Sequence, residues 1–294
     1  MEAQINQFLS SLQDDKGYAH NTVEAYRNDL SQFLNFAETE RPHLTHWGRV
    51  DKPLLLEFIT HLKDRGYTAS SVARKIAVLK TFYHFLTERN LVAEDPTATV
   101  GSPKVQKRLP QILTPDEVDR LLAAPAQHGT PKGFRDRAIL ELLYASGIRV
   151  TELVSMDVHA VDLDGGTVQC QGKGAKLRVI PITERAVNAL SDYLKRGRSV
   201  LVTRNESALF VNPHGERLTR QGLWLIIKEY VKEAEIKTPV TPHTLRHSFA
   251  VHQLNDGKDL QNVQRLLGHA NITTTQMYAR LANGAPADDQ SETS

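Results

Sequence analysis

Between Thr241 and Tyr278 the residues that start and stop helices come so closely spaced that three short helices in succession are the expected outcome. Thr241 offers an N-cap hydroxyl, and Pro242 follows at the first helical position, where its missing N–H costs nothing. Leu245, Phe249 and Leu254 supply the buried face of this helix, and Gly257 is its expected stop. Asp259 caps a second helix with an apolar stripe of Leu260, Val263, Leu266 and Leu267. Gly268 closes it, and His269 sits just past its end. Asn271 caps a third helix that carries Tyr278. His243 and Arg246, three residues apart, share one helix face. The stretch therefore delivers an imidazole, a guanidinium, a second imidazole and a phenol.

That set suits phosphoryl transfer. A guanidinium holds phosphate oxygens in a two-bond fork and keeps its charge at any working pH. A phenol, with a pKa of about 10, needs a base and a positive field before it acts as a nucleophile. Taken singly, each of these residues is more often an ordinary surface or core side chain. Their joint order and spacing argue for chemistry.

The stretches His243-Thr-Leu-Arg246-His-Ser-Phe-Ala and Leu266-Leu-Gly-His269-Ala-Asn-Ile-Thr-Thr-Thr-Gln-Met-Tyr278 resemble the second and third active-site boxes of tyrosine recombinases. The bacterial XerC/XerD type is the nearest in pattern. The rest of the chain bears on that resemblance.

With 294 residues the chain is long enough for about two domains. No apolar run approaches the ~20 residues of a membrane span, and Met1-Glu-Ala-Gln does not open a secretory signal. The single cysteine, Cys170, excludes an internal disulfide and a thiolate zinc cluster, so a reduced, cytoplasmic setting is expected. A net charge of only +2 means that any nucleic-acid surface must come from local arrangement.

Residues 1–95 read as helix throughout. Ile5, Phe8, Leu9 and Leu12 fall on one helical face. Asn21 with Glu24 suggests a capping box ahead of Tyr26, Leu30, Phe33 and Leu34. Asp51 and Pro53 open a third helix, and Ser70 or Ser71 a fourth with Val72, Ile76, Leu79, Phe82, Tyr83 and Leu86 inward. Four short helices imply a compact bundle. Arg27, Arg74, Lys75, Lys80 and Arg89 are expected on the outer faces. Periodicity alone does not separate a solvated face from one that tracks a DNA backbone. The resemblance does: it implies a SAM-like core-binding clamp on DNA, with Arg74, Lys75 and Lys80 as contacts. Residues 96–110 read as a linker punctuated by proline and made basic by Lys104, Lys107 and Arg108, further candidates for DNA contact.

Residues 111–283 form the expected second domain, mostly helical with a small antiparallel sheet. Thr114-Pro-Asp-Glu117 is a strong helix start. A dense apolar helix over Ala138 to Tyr144 ends near Ser146-Gly147. Arg149 follows in the break, with Thr151 expected to cap the next helix. Tyr-Ala-Ser-Gly-Ile-Arg149-Val-Thr-Glu152-Leu resembles the family's first box, which implies a carboxylate, Glu152, that orients the arginine. As a bare sequence feature Glu152 is equally a helix-start acid. Thr167 to Gln171 and Lys176 to Ile182 read as strands joined by Gly172-Lys173-Gly174-Ala175, a turn that resembles the family's hairpin lysine at Lys173. Asp162 and Asp164 are turn residues rather than metal ligands. Ala208 to Val211 is a short strand, and Trp224 is expected in the core. Residues 284–294 are small, polar and acidic and expected to lack order, a departure from the family's usual C-terminal docking helix.

The resemblance implies that Tyr278 attacks a scissile phosphate, forming a 3′-phosphotyrosyl link and releasing a 5′-hydroxyl. Arg149 and Arg246 would neutralise the non-bridging oxygens, Lys173 would protonate the leaving oxygen, His243 would help take the phenol proton, and His269 would hydrogen-bond the phosphate. It further implies no metal, no ATP and no other cofactor. The implied partners are duplex DNA bearing a specific site and further subunits in a tetrameric synapse. A paralogous Xer protein and a septal DNA translocase of the FtsK kind complete the Xer pattern, which acts in chromosome and plasmid dimer resolution. A phage or mobile-element integrase shares the boxes but often adds an arm-binding domain, whereas Met1 here lies almost directly before the first clamp helix. A type IB topoisomerase shares much of the chemistry without a sequence-specific partner site. A DNA-binding protein without recombinase activity would tolerate loss of these residues, and none is lost.

Overall fold

The computed structural model describes residues 1–14, 17–103, 110–171, 177–202, 206–269 and 271–282. Lys104, Lys107, Arg108, Lys173 and the 284–294 tail lie outside the described residues. The chain divides into two compact units, Met1–Arg108 and Leu109–Ser294.

The first unit is built from α1 (Glu2–Asp14), α2 (His20–Glu40), α3 (Lys52–Asp64) and α4 (Ala69–Glu88). Asp51 caps α3 by accepting the Leu54 N–H at 2.9 Å. The other two starts differ from expectation. Ala19 is the N-cap of α2, so Asn21 lies inside its first turn, and α4 is capped by Thr68, whose hydroxyl takes the Ser71 N–H. The apolar stripes converge on a core of aromatic rings, with Phe33 on Phe58 at 5.1 Å and Phe8 on Phe82 at 5.3 Å between centroids. Trp47, from the α2–α3 connection, completes it edge-on to Phe82 at 4.8 Å.

Lys75 corrects the expected outer face of α4. It is 6% exposed, its Nζ donates to Asp29 Oδ1 at 2.7 Å, and it lies over the Tyr67 ring. A buried ammonium needs such a partner, and Asp29, itself 3% exposed on α2, provides it. Arg74 is exposed and also pairs with Asp29. Lys80 is half-buried.

The second unit wraps around α6 (Pro131–Ser146), in which Ala138 through Leu140 with Leu142 and Leu143 are all essentially buried. Preceding it is α5 (Pro115–Ala123), opened by the expected Thr114–Glu117 capping box. After α6 come α7 (Val150–Ser155) and a three-stranded antiparallel sheet in the order β1 (Val161–Asp162), β2 (Thr167–Gln171), β3 (Leu177–Pro181). Beyond it lie α8 (Glu184–Asp192), a π-helical turn over Tyr193–Arg198, the single turn α9 (Ser199–Leu201) and α10 (Arg220–Glu233). Ala208 and Val211 make isolated bridges rather than a strand of their own.

Trp224 is not in the core. Leu223, Ile226, Ile227 and Tyr230 supply the buried face of α10, which leaves Trp224 45% exposed with Lys228 Nζ 5.1 Å from its ring. Of the last three helices, α11 (Pro242–Asn255) and α12 (Leu260–Leu267) are capped by Thr241 and Asp259 as the sequence signals, whereas α13 (Thr273–Ala282) starts two residues after Asn271, whose side chain accepts the Thr273 N–H at 2.9 Å. They build a small second core in which Phe249, Val263, Leu267 and Tyr278 pack together.

Candidate active site

Two helix breaks, between α6 and α7 and between α12 and α13, meet at one place. α6 ends at Gly147, which adopts a left-handed backbone, and Arg149 follows as the N-cap of α7. Thr151 is therefore in the first turn instead of capping it. The cap is supplied from inside the helix, with Glu152 Oε2 accepting the Arg149 N–H at 2.7 Å and Oε1 accepting Arg149 Nη1 at 3.1 Å. Arg149 Nη2 donates to the Gly268 carbonyl at 3.1 Å, and 39% of the side chain remains exposed. Glu152 is 8% exposed. Burial alone would raise its pKa, but hydrogen bonds from Arg178 and the Arg149 N–H, with both positive charges, hold it below the usual carboxylate value.

Arg246 projects from α11 into the same place and is 5% exposed. Its Nη1 donates to the Gly147 carbonyl. Its Nη2 donates to the Leu267 carbonyl at 2.6 Å and to His269 Nε2 at 3.0 Å. Burial and the neighbouring Arg149 lower its pKa to about 10, still well above neutrality.

A guanidinium only donates, so His269 Nε2 must accept, and the ring proton sits on Nδ1, 2.9 Å from Thr275 Oγ1. Burial, then the charges of Arg246 and Arg149, lower the His269 pKa to about 4, so the ring is neutral at physiological pH. Its backbone is fixed from both sides, His269 N–H to the Gln264 carbonyl and Gln264 Nε2 to the His269 carbonyl.

Tyr278 is 2% exposed, between His247 and His269, with ring centroids at 5.4 and 6.2 Å. Its Oη lies 2.8 Å from His247 Nδ1. Burial raises the phenol pKa, and the Arg246 and Arg149 charges act against that rise. His247 is lowered to about 4, by burial first and then by His243 and Arg246.

Arg149, Glu152, Arg246, His269 and Tyr278 are thus brought together. His243 is exposed, one turn before His247 with ring centroids 6.2 Å apart, and makes no hydrogen bond to Tyr278 among the described residues. Two residues of the site escaped the sequence reading. His247 follows Arg246 directly and lies four residues after His243, so the same helical spacing could have found it. Arg178, on β3, grips Glu152 with both terminal nitrogens at 2.8 and 2.9 Å. Among the described residues no group of three or more His, Cys, Asp and Glu is arranged to hold a metal ion, and no helix is long and apolar enough to cross a membrane.

Comparison with known proteins places the chain in a family. Residues 111–284 match the phage integrase family, and residues 5–90 match its N-terminal SAM-like domain. The chain is a member of the tyrosine recombinases. Tyrosine recombinase XerC of Roseiflexus castenholzii is 48% identical over 284 residues, spanning 96% of this chain and 90% of the relative. Tyrosine recombinase XerD of Oceanobacillus iheyensis is 41% identical over 290 residues, spanning 98% and 97%. The fold also matches XerH site-specific recombinase in its post-cleavage complex with a palindromic difH substrate, with a TM-score of 0.75 at 20% identity over 95% of this chain and 82% of that one. As in the family generally, the recombinase activity is site-specific exchange of DNA strands.

Proposed function

We propose that this recombinase is of the Xer type, resolving chromosome or plasmid dimers, with Tyr278 as the nucleophile. The observation that carries the reading is the meeting of a phenol, two imidazoles and the Arg149 and Arg246 guanidiniums in one site. Tyr278 Oη forms a bond to the scissile phosphorus and the bond to the 5′ oxygen breaks, leaving a 3′-phosphotyrosyl link. Arg149 and Arg246 neutralise the non-bridging oxygens as charge develops, and His269 donates to the phosphate once Arg246 has turned from its Nε2 and a proton occupies that nitrogen. Lys173 delivers a proton to the departing 5′ oxygen. The 2.8 Å contact to Nδ1 supports giving His247 the phenol proton, the role the resemblance implied for His243. An anionic phosphate on Arg246 raises the basicity of His247, because Arg246 is one of the charges that lower it.

Attack by a partner 5′-hydroxyl then reverses the step on the other strand through a Holliday junction. The covalent link conserves the phosphodiester energy, so neither ATP nor a metal is required. Residues 1–95 act as the DNA clamp, with Arg74 and Lys80 reaching the backbone, and 96–110 tether it, with Lys104, Lys107 and Arg108 adding charge along the duplex. Residues 111–283 carry the chemistry. The protein works in the cytoplasm in a tetrameric synapse on duplex DNA. A paralogous Xer subunit and an FtsK-like septal translocase are its expected partners. Tyr278→Phe tests the reading on a nicked suicide duplex. DNA binding is retained and no covalent complex appears on a denaturing gel. A covalent band from the Phe variant would refute the assignment.

A further inference from the structure

Over residues 177–179, β3 carries its side chains inside out. Leu177 and Val179 are 69% and 60% exposed, whereas the Arg178 side chain between them is only 16% exposed. A strand with one covered face ordinarily turns its apolar residues inward. The register pairs Cys170 with Arg178 and Val168 with Ile180, and the buried Cys170, Val168 and Ile180 fix which face is covered. Arg178 is therefore held on that face at the expense of two exposed apolar side chains. Departures of this kind from local pattern concentrate at functional sites.

Arg178 meets Glu152 as a two-bond fork, Nη1 to Oε1 at 2.8 Å and Nη2 to Oε2 at 2.9 Å. Its guanidinium lies against Gly268, where an added Cβ would come within 2.7 Å of Nη1. Its Nε is buried without a hydrogen-bond partner among the described residues. With the two bonds from Arg149, each oxygen of Glu152 accepts twice, which is about the four lone-pair sites a carboxylate has. Arg149 is left with a single guanidinium nitrogen on the carboxylate.

We propose that Arg178 is a positioning residue for strand cleavage. By saturating Glu152 it stops Arg149 from closing its own fork on that carboxylate, and so keeps the Arg149 charge and its free donors directed at the scissile phosphate. A carboxylate fork is the strongest competitor a phosphate would face for Arg149, and Glu152 is the carboxylate within reach of it. The proposal rests on Arg149 being a phosphate ligand.

The test compares the full-length protein with Arg178→Met, Arg178→Met/Glu152→Gln and Arg149→Lys. It measures single-turnover cleavage of a nicked suicide duplex, duplex affinity and thermal melting. Arg178→Met is expected to cleave about tenfold or more slowly, with duplex affinity within about threefold of wild type. Adding Glu152→Gln is expected to restore most of the lost rate, because a neutral amide no longer draws Arg149 away. A merely structural role gives the opposite order, since the second substitution removes further contacts. A double variant as slow as Arg178→Met or slower therefore overturns the proposal. Should Arg178→Met not fold, Arg178→Lys with and without Glu152→Gln carries the same comparison. Arg149→Lys cleaving at the wild-type rate would remove the phosphate-ligand reading itself. A slow Arg149→Lys beside a wild-type rate for Arg178→Met would remove this proposal alone.

Discussion

Gly147→Ala is the substitution that most directly joins folding to chemistry in this protein. Gly147 ends α6 at φ +58 and gives its carbonyl to Arg246. A Cβ there would stand 2.4 Å from Phe249 Cδ1 and 3.0 Å from Leu267 Cδ2. Phe249 and Leu267 are 4% and 0% exposed, so neither has open space to swing into. The left-handed backbone costs alanine about 1 kcal/mol, and an extra methyl in a packed core adds about 1–3 kcal/mol. Together these make about 2–4 kcal/mol, which at about 2–4 °C per kcal/mol for a unit of this size lowers melting by roughly 4–16 °C. Gly257→Ala is the matched control. It too has positive φ, +85, but an added Cβ there meets nothing within 4 Å, so its expected shift is only about 2–4 °C. Calorimetry of the full chain measures both. Covalent-complex formation, measured below both transitions, is expected to fall in Gly147→Ala alone, because Phe249 and Arg246 share α11 and move together. Equal melting shifts for the two variants would refute the packing argument, and undiminished cleavage by Gly147→Ala would refute its link to Arg246.

Arg246→Lys is expected to lose about 100-fold or more in cleavage with modest loss of binding, because a single ammonium nitrogen lacks the planar fork that puts Nη1 on the Gly147 carbonyl and Nη2 on the Leu267 carbonyl and His269 Nε2; single-turnover rates beside gel-shift affinities measure it. His247 and His269 are both lowered to about 4, so between about pH 4 and pH 6.5 the unfolded chain takes up their protons first. Their contribution to stability is whole above about pH 6.5 and is lost as pH falls toward 4, which predicts a lower urea midpoint at pH 5 than at pH 7.5 and a flatter dependence in His247→Asn. A midpoint that rises on acidification would contradict the sign. Cleavage in excess EDTA is expected at the full rate, and restoration by Mg²⁺ of a step abolished by EDTA would require a different mechanism.

Capping chemistry is local, and that is why so much of the second unit was legible before its structure. Thr114, Thr241 and Asp259 each accept a backbone N–H within their own first turn, and a sequence displays that partnership directly. Arg149 and His269 lie at such helix ends, whereas Arg246 and Tyr278, inside α11 and α13, were visible through their order and spacing in the motifs. Positions on the flank of a helical stripe are settled by partners far along the chain. Lys75 turns inward because Asp29, 46 residues earlier, supplies a carboxylate. Trp224 turns outward because its neighbours Leu223, Ile226 and Ile227 already fill the face of α10. Arg178 was hidden by its own pattern, because Leu-Arg-Val on a strand points to solvent for the arginine unless the register is known. Its partner Glu152 lies 26 residues earlier on another element.

What holds the arginines explains how the site keeps its charge. Arg246 donates to the carbonyls of Gly147 and Leu267, and Arg149 to that of Gly268. All three carbonyls belong to the C-terminal ends of α6 and α12, where the helix leaves acceptors without an intrahelical partner and the helix dipole presents its negative end. The two left-handed glycines, Gly147 and Gly268, end those helices beside the guanidiniums. A carboxylate in each of these places would hold an arginine more tightly but would cancel its charge. Neutral carbonyls satisfy the buried donors and leave the charge in place. Among the described residues Glu152 is the carboxylate that opposes it, shared between Arg149 and Arg178. Arg149, Arg178 and Arg246 set against one carboxylate leave the site with net positive charge before any DNA is present. On the phosphate-binding role proposed for these arginines, an arriving phosphate would displace carbonyls from the guanidiniums instead of breaking ion pairs, which is the lower barrier of the two. The helix ends that were easiest to recognise in the sequence are thus the same features that make a buried cationic site stable without neutralising it.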